Sequence, residues 1–456
     1  MFIFLVISSI TCYCNILILC YYSQNGYTAQ CSVGVTTSII SLAVSPTSKT
    51  LNIGETVQLT GTKNPTSASE GTQWTSSNTS VATVSGSGLV TAKAAGTATI
   101  TFKNSSSTKS ASCTITVAPA EGIVYTAAET TAGVMCAGGQ YWQKINSKGN
   151  SVWSEKDYYY YPYEVTTLEN GNIVVACTSL ASYRDDDDDA DNYVNGGVIY
   201  VVDQKGNTIL NLGQNNNYGY RYVTSSKDGG FFVGNWYSPR NSYSTSSINV
   251  YKYNSSGKIE WTYNITKNGV GTAINISRTQ DNGIIFYYGG YIYKLNKNGA
   301  LEWKVKGASN IAALPNGKIA TIGGYTLKIL NSSGSELVSS KLSESNSPSW
   351  NYYSSAYNYI AASSDNYIYL ASSSGKVAKY DTNGKKIWEK SIDDADKYMR
   401  VNSGNISAIA TFSDGSVVVG TKSCMYLVKY DKNGNVVWAI QKGWNTHIQD
   451  ITIVKE

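Results

Sequence analysis

The chain has 456 residues, more than one ordinary domain holds, and a formal net charge of only +5 with 15% charged residues. This charge is too small and too dispersed for a typical nucleic-acid-binding surface, and the single histidine, His447, excludes a metal site built on several histidines. Tyr is abundant at 37 residues, and the polarity comes mainly from Ser, Thr, Asn and Gly, which suits an extracellular protein.

Residues 1–29 are predicted to be a secretory signal, because residues 1–20 are largely apolar and Ala29 offers a cleavage position. The basic segment that usually opens a signal is missing, since no charged residue precedes Lys49. An uncleaved membrane anchor therefore stays open as an alternative, and it would be the chain's one contact with a membrane. In both cases we expect a secreted or cell-surface protein.

Residues 37–118 alternate apolar and polar residues between frequent turn signals, which predicts roughly seven short strands in a β-sandwich. The segments SPTSKTLNIGETVQLT and QWTSSNTSVATVSGSGLVTAKAAGTATITF resemble the group 2 bacterial immunoglobulin-like domain (BIG2). Trp74, Gly54 and Gly88 are among the matching residues. The resemblance implies a spacer in a surface or secreted protein. Cys31 and Cys113 bracket the domain, and a disulfide between them stays open.

Residues 122–456 repeat one pattern seven times: a turn with Gly in its fourth position, then a short strand that usually ends in Trp. The turn glycines are Gly149, Gly206, Gly257, Gly299, Gly334, Gly384 and Gly434. Their spacing scatters around the ~40–50 residues of a four-stranded propeller blade. We therefore predict an all-β protein in which a seven-bladed β-propeller follows the sandwich.

Five tryptophans share one position in this repeat, so we interpret them as packing between neighbouring sheets rather than as catalytic groups. They are Trp153, Trp261, Trp303, Trp388 and Trp438. The copies KYDTNGKKIW (379–388) and KYDKNGNVVW (429–438) resemble the PQQ-type repeats of quinoprotein-like propellers. That family includes quinone-dependent alcohol dehydrogenases and noncatalytic envelope scaffolds. The chain lacks the adjacent cysteines of the dehydrogenases, so no quinone is expected.

Two segments compete for the innermost strand of the first blade. IQDITIV (448–454) follows the last repeat and could close the ring as that strand, which would leave no sheet edge unpaired. In the rival alignment, IVYTAAE (123–129) is itself the innermost strand. The sequence does not choose between them.

Strand alternation sends the A–B and C–D turns to one rim of the propeller and the B–C and D–A loops to the other. The first set is short and uniform, whereas the second is long and variable, which is typical of a binding face. Aromatic side chains in these loops suit sugar rings and protein hot spots alike. The predicted ligand-binding residues are Tyr158, Tyr159, Tyr160, Tyr161, Trp236, Tyr237, Trp350, Tyr352, Tyr353 and Trp444.

The acidic run SYRDDDDDADNYVNG (182–196) is the strongest charge feature. Calcium takes several oxygen ligands, so Asp185, Asp187, Asp189 and Asp191 are the candidates for a calcium site. The alternating spacers, the Gly and the distal Glu of an EF-hand are absent, and a solvated loop is the leading interpretation.

These patterns predict a secreted or cell-surface, adhesion-type binding protein whose propeller presents an aromatic loop face to an extracellular glycan or a surface protein. Two alternatives stay open: a polysaccharide-acting enzyme that uses loop carboxylates, and a noncatalytic envelope scaffold. No catalytic residue can be named from the sequence.

Overall fold

The computed structural model describes residues 14–22, 29–131, 134–157, 160–181, 193–214, 218–237, 247–266, 275–342, 357–395, 406–422, 426–441 and 446–456. In these ranges the regular structure is β-strand, apart from one short 3₁₀ helix at Ile392–Ala395. No helix within them has the length and apolarity that a membrane crossing needs. The chain divides into two compact units, Met1–Ala120 and Glu121–Glu456.

The first unit begins with an antiparallel hairpin of β1 (Cys14–Tyr22) and β2 (Ala29–Thr37). Part of the predicted signal therefore lies in strand β1, and residues 1–13 and 23–28 are outside the described ranges. Its remaining strands are β3 (Ser41–Ser45), β4 (Ser48–Leu51), β5 (Thr56–Gln58), β6 (Thr60–Asn64), β7 (Thr72–Ser76), β8 (Ala82–Val84), β9 (Leu89–Ala92), β10 (Gly96–Asn104) and β11 (Ser110–Val117).

Strands β3 to β11 form the predicted sandwich, with sheets ordered β4-β11-β10-β7, β5-β9-β8 and β3-β6. Alternate residues of β10 and β11 point into one apolar core, against which Trp74 packs with its ring 4.6 Å from that of Phe102. Cys113 is buried in this core as a free thiol, so it forms no disulfide with Cys31.

The second unit contains seven four-stranded sheets, one for each predicted blade. In chain order its strands are β12 (Glu121–Thr131), β13 (Val134–Ile145), β14 (Ser151–Asp157), β15 (Tyr161–Thr167), β16 (Ile173–Ala181), β17 (Tyr193–Val202), β18 (Thr208–Gln214), β19 (Tyr218–Ser225), β20 (Phe231–Tyr237), β21 (Ser247–Tyr253), β22 (Ile259–Thr266), β23 (Ile276–Arg278), β24 (Ile284–Tyr288), β25 (Tyr291–Leu295), β26 (Leu301–Lys306), β27 (Asn310–Ala313), β28 (Ile319–Gly323), β29 (Thr326–Leu330), β30 (Glu336–Lys341), β31 (Tyr357–Ala362), β32 (Ile368–Ser372), β33 (Lys376–Tyr380), β34 (Lys386–Ser391), β35 (Ile406–Thr411), β36 (Val417–Thr421), β37 (Tyr426–Tyr430), β38 (Val436–Gln441) and β39 (Thr446–Lys455).

Blades 2 to 7 each use four consecutive strands, A to D, beginning at β15, β19, β23, β27, β31 and β35. Each strand A contacts the strand A of the next blade around a full circle, so the seven A strands surround a central channel. The predicted all-β architecture, a sandwich followed by a seven-bladed propeller, is confirmed.

Strand β39 closes the ring. Blade 1 has the order β14-β13-β12-β39, so the C-terminal strand is its strand A and β12 is its strand B. The pairing runs antiparallel from Glu121 opposite Lys455 to Glu129 opposite Thr446. The structure thus selects the IQDITIV alignment, and the rival alignment, in which IVYTAAE is innermost, is wrong.

The repeated tryptophans join neighbouring blades, as predicted. Each indole Nε1–H donates to a backbone carbonyl in the C–D turn of the next blade. The pairs are Trp153–Gln204 (3.0 Å), Trp261–Lys297 (2.9 Å), Trp303–Ser332 (2.9 Å), Trp388–Lys432 (3.1 Å) and Trp438–Ser147 (3.2 Å). The last pair links blade 7 to blade 1 and so reinforces the closure made by β39.

Candidate functional site

The propeller's connections are sorted onto two rims. The A–B and C–D connections are tight turns closed by backbone hydrogen bonds, such as that from Gly317 N to Leu314 O at 3.0 Å. We call the edge that carries them the turn rim. The other edge, the loop rim, carries the B–C and D–A connections. Five of these are nine residues or longer: 182–192, 238–246, 267–275, 342–356 and 392–405. The other nine connections between these strands are four residues or shorter, so the predicted long and variable loops occupy part of this rim.

Most predicted ligand-binding residues lie outside what the structure describes. Tyr158, Tyr159, Trp350, Tyr352, Tyr353 and Trp444 fall outside the described ranges, as do Asp185, Asp187, Asp189 and Asp191. Trp236 and Tyr237 belong to strand β20, but only their backbone is described.

Tyr160 and Tyr161 are the two predicted residues with described side chains, and both lie at the loop-rim end of blade 2. Tyr160 is half-buried, and its N–H donates to Asp157 Oδ1 at 3.1 Å. Tyr161 is only 2% exposed and packs with its ring 5.1 Å from that of Tyr163. Tyr163, which the sequence analysis did not single out, therefore lies nearer the surface than Tyr161.

Five A strands carry a β-bulge near their loop-rim ends. The ladder between strands A and B skips one residue in each of blades 1, 2, 3, 6 and 7. The bulged residues are Gln449, Tyr163, Arg221, Asn358 and Ser407. A bulge bends the strand and re-aims the side chain that it carries, and bulges are common beside functional sites. Repeating it around the channel places five polar side chains at equivalent positions.

Three of these bulges form a connected polar surface across blades 1 to 3, which we call the mouth surface. Gln449 Nε2 donates to Tyr161 Oη at 3.3 Å, and Arg221 Nη2 donates to Tyr163 Oη at 3.0 Å. The Arg221 guanidinium also lies 4.4 Å from the centre of the Tyr163 ring. This stacking fixes an aromatic ring and a cation in one orientation.

Below the mouth surface, the channel holds a cavity of about 420 Å³ lined by the A strands. Asp450 and Glu164 lie on its wall, one residue beyond the bulges of blades 1 and 2. Asp450 Oδ2 accepts the N–H of Val165, and Glu164 Oε2 accepts the N–H of Val223, both at 2.9 Å. Each carboxyl group thus joins its own blade to the next one.

Burial raises the pKa of both carboxyl groups. For Glu164 the charge of Asp450 raises the pKa further, and the hydrogen bond from Val223 acts in the opposite direction. For Asp450 the hydrogen bonds from Val165 and Ile451 oppose the effect of burial. Both side chains are surrounded by protein but keep partial access to the channel. The described lining of this cavity contains no Lys, Arg or His to neutralise them.

The turn-rim end of the channel is also a cavity, of about 560 Å³. An ion pair between Arg278 of blade 4 and Glu169 of blade 2 lies at this end. This ion pair therefore connects two blades that are not neighbours, since blade 3 lies between them.

No group of three or more His, Cys, Asp or Glu side chains suited to a metal ion occurs in the described parts of the chain. Glu164 and Asp450 are the two carboxyl groups in the described lining of the cavity below the mouth surface. Sequence analysis missed Glu164, Arg221 and Asp450. The available signal was a charged residue inside the strands YPYEVTT, YGYRYVTS and THIQDITIVK, which are otherwise apolar or uncharged along the wall.

Comparison with family models gives a match in each unit. Residues 38–115 match the bacterial Ig-like domain (group 2). Residues 240–452 match the model described as outer membrane protein assembly factor BamB, which covers blades 4 to 7 and parts of blades 3 and 1. Both resemblances predicted from the sequence are confirmed. Comparison with curated protein sequences gives no match.

Solved structures resemble the chain in fold. A protein from Lactobacillus plantarum is 13% identical, with a TM-score of 0.51, over 74% of this chain and 100% of that one. A protein of unknown function from Bacteroides caccae is 12% identical, with a TM-score of 0.41, over the same shares of the two chains. At these identities the likeness concerns the fold alone.

Proposed function

We propose that the protein is a noncatalytic binding protein of the cell envelope or cell surface, and that its propeller binds a glycan at the mouth surface. The observation that carries this proposal is the shared geometry of Tyr163, Arg221 and Gln449. Three successive A strands present, at one end of the channel, a fixed aromatic ring, a guanidinium and an amide.

Sugar recognition suits this arrangement. A tyrosine ring offers an apolar face for stacking, and amide and guanidinium groups donate hydrogen bonds to hydroxyl oxygens. Small-molecule sites are typically concave, with a few placed polar groups, and the channel behind the mouth surface supplies the concavity. The Ig-like domain and the likeness to an envelope protein support a location in the envelope or outside the cell.

An oligosaccharide array, followed by calorimetric titration of the best ligand, tests this function. We expect Tyr163→Ala and Arg221→Gln each to weaken binding by roughly tenfold or more, which corresponds to about 1.4 kcal/mol. Arg278→Gln is the matched control, because Arg278 also lies on a strand A but at the turn-rim end. An array with no saturable ligand, or equal losses in the Arg221 and Arg278 variants, would contradict the proposal.

A noncatalytic assembly scaffold is the second candidate, and the match of residues 240–452 to an outer membrane assembly factor favours it. It predicts that no oligosaccharide binds while a purified envelope protein is retained by the propeller. The enzyme alternative predicts new reducing ends when a polysaccharide panel is incubated with the protein, and their loss in Glu164→Gln. Absence of turnover in both proteins removes that alternative.

A further inference from the structure

A third cavity, of about 420 Å³, lies between blades 4 and 5, away from the channel. Its lining includes Lys306, Gly307, Thr321, Gly323, Thr326 and Lys328. Lys306 ends the outer strand of blade 4 and Gly307 follows it, and the others belong to strands B and C of blade 5. The volume lies within the ~300–1,000 Å³ usual for small-molecule sites.

Blade 5 differs from the other blades at Thr321, which lines the cavity. Thr321 lies two residues after Ile319, the first residue of strand B, and therefore on the same face of the sheet. The strand register gives the equivalent position in every other blade. In the other six blades the residue at this position is large or apolar and fully buried: Tyr125, Val175, Val233, Phe286, Leu370 and Val419. Thr321 is smaller than the aromatic and leucine side chains, is close in size to the three valines, and carries a hydroxyl group.

Two glycines border the cavity, and at each of them other atoms approach the backbone closely. Gly323 follows Thr321 on the same face, at the position that Tyr288 occupies in blade 4. A Cβ on Gly323 would lie 2.4 Å from the Cβ of Ala308, so no side chain fits there without movement. Gly307 directly follows strand D of blade 4, and a Cβ there would lie 2.5 Å from Ile292 Cδ1. At these two positions the cavity wall is therefore backbone rather than side chain.

The groups that surround the cavity are basic and hydroxylic. Lys306 is exposed and has no carboxylate partner among the described residues. Lys328 forms an exposed ion pair with Glu336 at 2.7 Å, which contributes little to stability and leaves two ammonium protons free. Thr321 Oγ1 donates to Ala308 O at 3.4 Å. The lining contains no acidic residue.

We propose that this cleft binds the oxyanion group of a small polar molecule, a carboxylate or a phosphate carried on a body of about hexose size. The two ammonium groups supply the positive charge, and the hydroxyl group of Thr326, on strand C of blade 5, can donate a hydrogen bond. This site is separate from the mouth surface and does not depend on the proposed glycan binding there.

The test is calorimetric titration of the full chain with glucuronate, glucose 6-phosphate and glucose. We expect saturable binding of at least one of the two anions, weakened as NaCl rises from 0.05 to 0.5 M, and no binding of glucose. The two anions separate carboxylate from phosphate preference. Equal binding of glucose, or no binding of either anion at 10 mM, overturns the proposal.

Variants locate the site. Lys306→Gln, at an exposed position, is expected to weaken anion binding roughly tenfold, whereas Lys297→Gln, on the turn rim of the same blade, leaves it unchanged. Thr321→Leu installs the residue that blade 6 carries and is expected to abolish binding by filling the cavity. Arg221→Gln is expected to retain anion binding, which separates this site from the mouth surface. Unchanged affinity in Lys306→Gln would overturn the assignment even if Thr321→Leu failed to fold.

Discussion

The turn glycines of the propeller have two separate reasons for lacking a side chain. Gly299 has a φ of +82°, a left-handed conformation that costs other residues roughly 1–2 kcal/mol. A Cβ there would also lie 2.7 Å from the ring of Trp261 in the preceding blade. The Gly of one blade thus packs against the Trp ring of the preceding blade. This contact explains why the two residues recur together in the repeat.

Two glycine substitutions separate these reasons. Gly229 has a φ of +85° but open space around its missing Cβ, so Gly229→Ala should cost about 1 kcal/mol of unfolding free energy. Gly299→Ala should cost roughly 1–3 kcal/mol more, because the methyl group displaces the Trp261 ring. Denaturant unfolding followed by Trp fluorescence measures both, since Trp74 alone of the ten tryptophans lies outside the propeller unit. Equal costs would show that the ring contact is unimportant.

The A strands line the channel and also hold neighbouring blades together. Their side chains hydrogen-bond to the backbone of the next strand A, as Thr452 Oγ1 accepts from Thr167 N at 3.1 Å and Ser277 Oγ accepts from Ala313 N at 3.1 Å. Asp450 and Glu164 make the same kind of contact with a carboxylate oxygen. These two carboxyl groups therefore hold blades together, although their burial disfavours the charged form.

The raised pKa values predict how stability depends on pH. Above the ordinary carboxyl pKa of about 4, the native state keeps protons on Glu164 and Asp450 that the unfolded chain has lost. The unfolding free energy therefore falls as pH rises from about 4 through the raised native pKa values. The double variant Glu164→Gln/Asp450→Asn keeps an oxygen acceptor for each backbone N–H. It should lack this fall in unfolding free energy, which amounts to about 1.4 kcal/mol for each unit by which the pKa of a carboxyl group is higher in the native state than in the unfolded chain.

Asp281 provides the control of opposite sign. Its partial burial acts to raise the pKa, but hydrogen bonds from Lys294, at 2.8 Å, and Thr279 lower the pKa below its ordinary value on balance. Its contribution is present above pH 4 and is lost as pH falls through the lowered native pKa. Denaturant unfolding between pH 2 and 8 should show Asp281→Asn losing stability relative to the parent towards neutral pH, and the double variant gaining it. The same pH trend in both would refute the account.

At the scale of the whole molecule, the sequence predicted the repeat count, the all-β class and the short, uniform turns of one rim, whereas the long loops predicted for the other rim occupy five of its fourteen connections. The features predicted correctly follow from periodic glycines and from strand alternation, which are local signals. It did not decide which segment closes the ring, because the pairing of β39 with β12 joins strands more than three hundred residues apart. Local propensity carries no information about that partner.

The candidate site was harder to predict than the fold. Arg221 and Tyr163 meet only because bulges in two neighbouring A strands re-aim their side chains, and a bulge changes the pairing without requiring a particular residue. The sequence analysis favoured aromatic residues of the long loops, and that prediction remains to be tested. The cleft between blades 4 and 5 likewise depends on a comparison of equivalent positions that requires the strand register.

Hydrogen–deuterium exchange with and without the best oligosaccharide of the array shows directly whether a glycan binds at the mouth surface. We predict slower exchange in peptides that cover residues 160–166, 218–223 and 446–451, which bring Tyr163, Arg221 and Gln449 together at the loop rim. Exchange in the turn-rim segments 168–172 and 279–283 should not change. Protection of the turn rim with no change at the mouth surface would show that the glycan binds elsewhere.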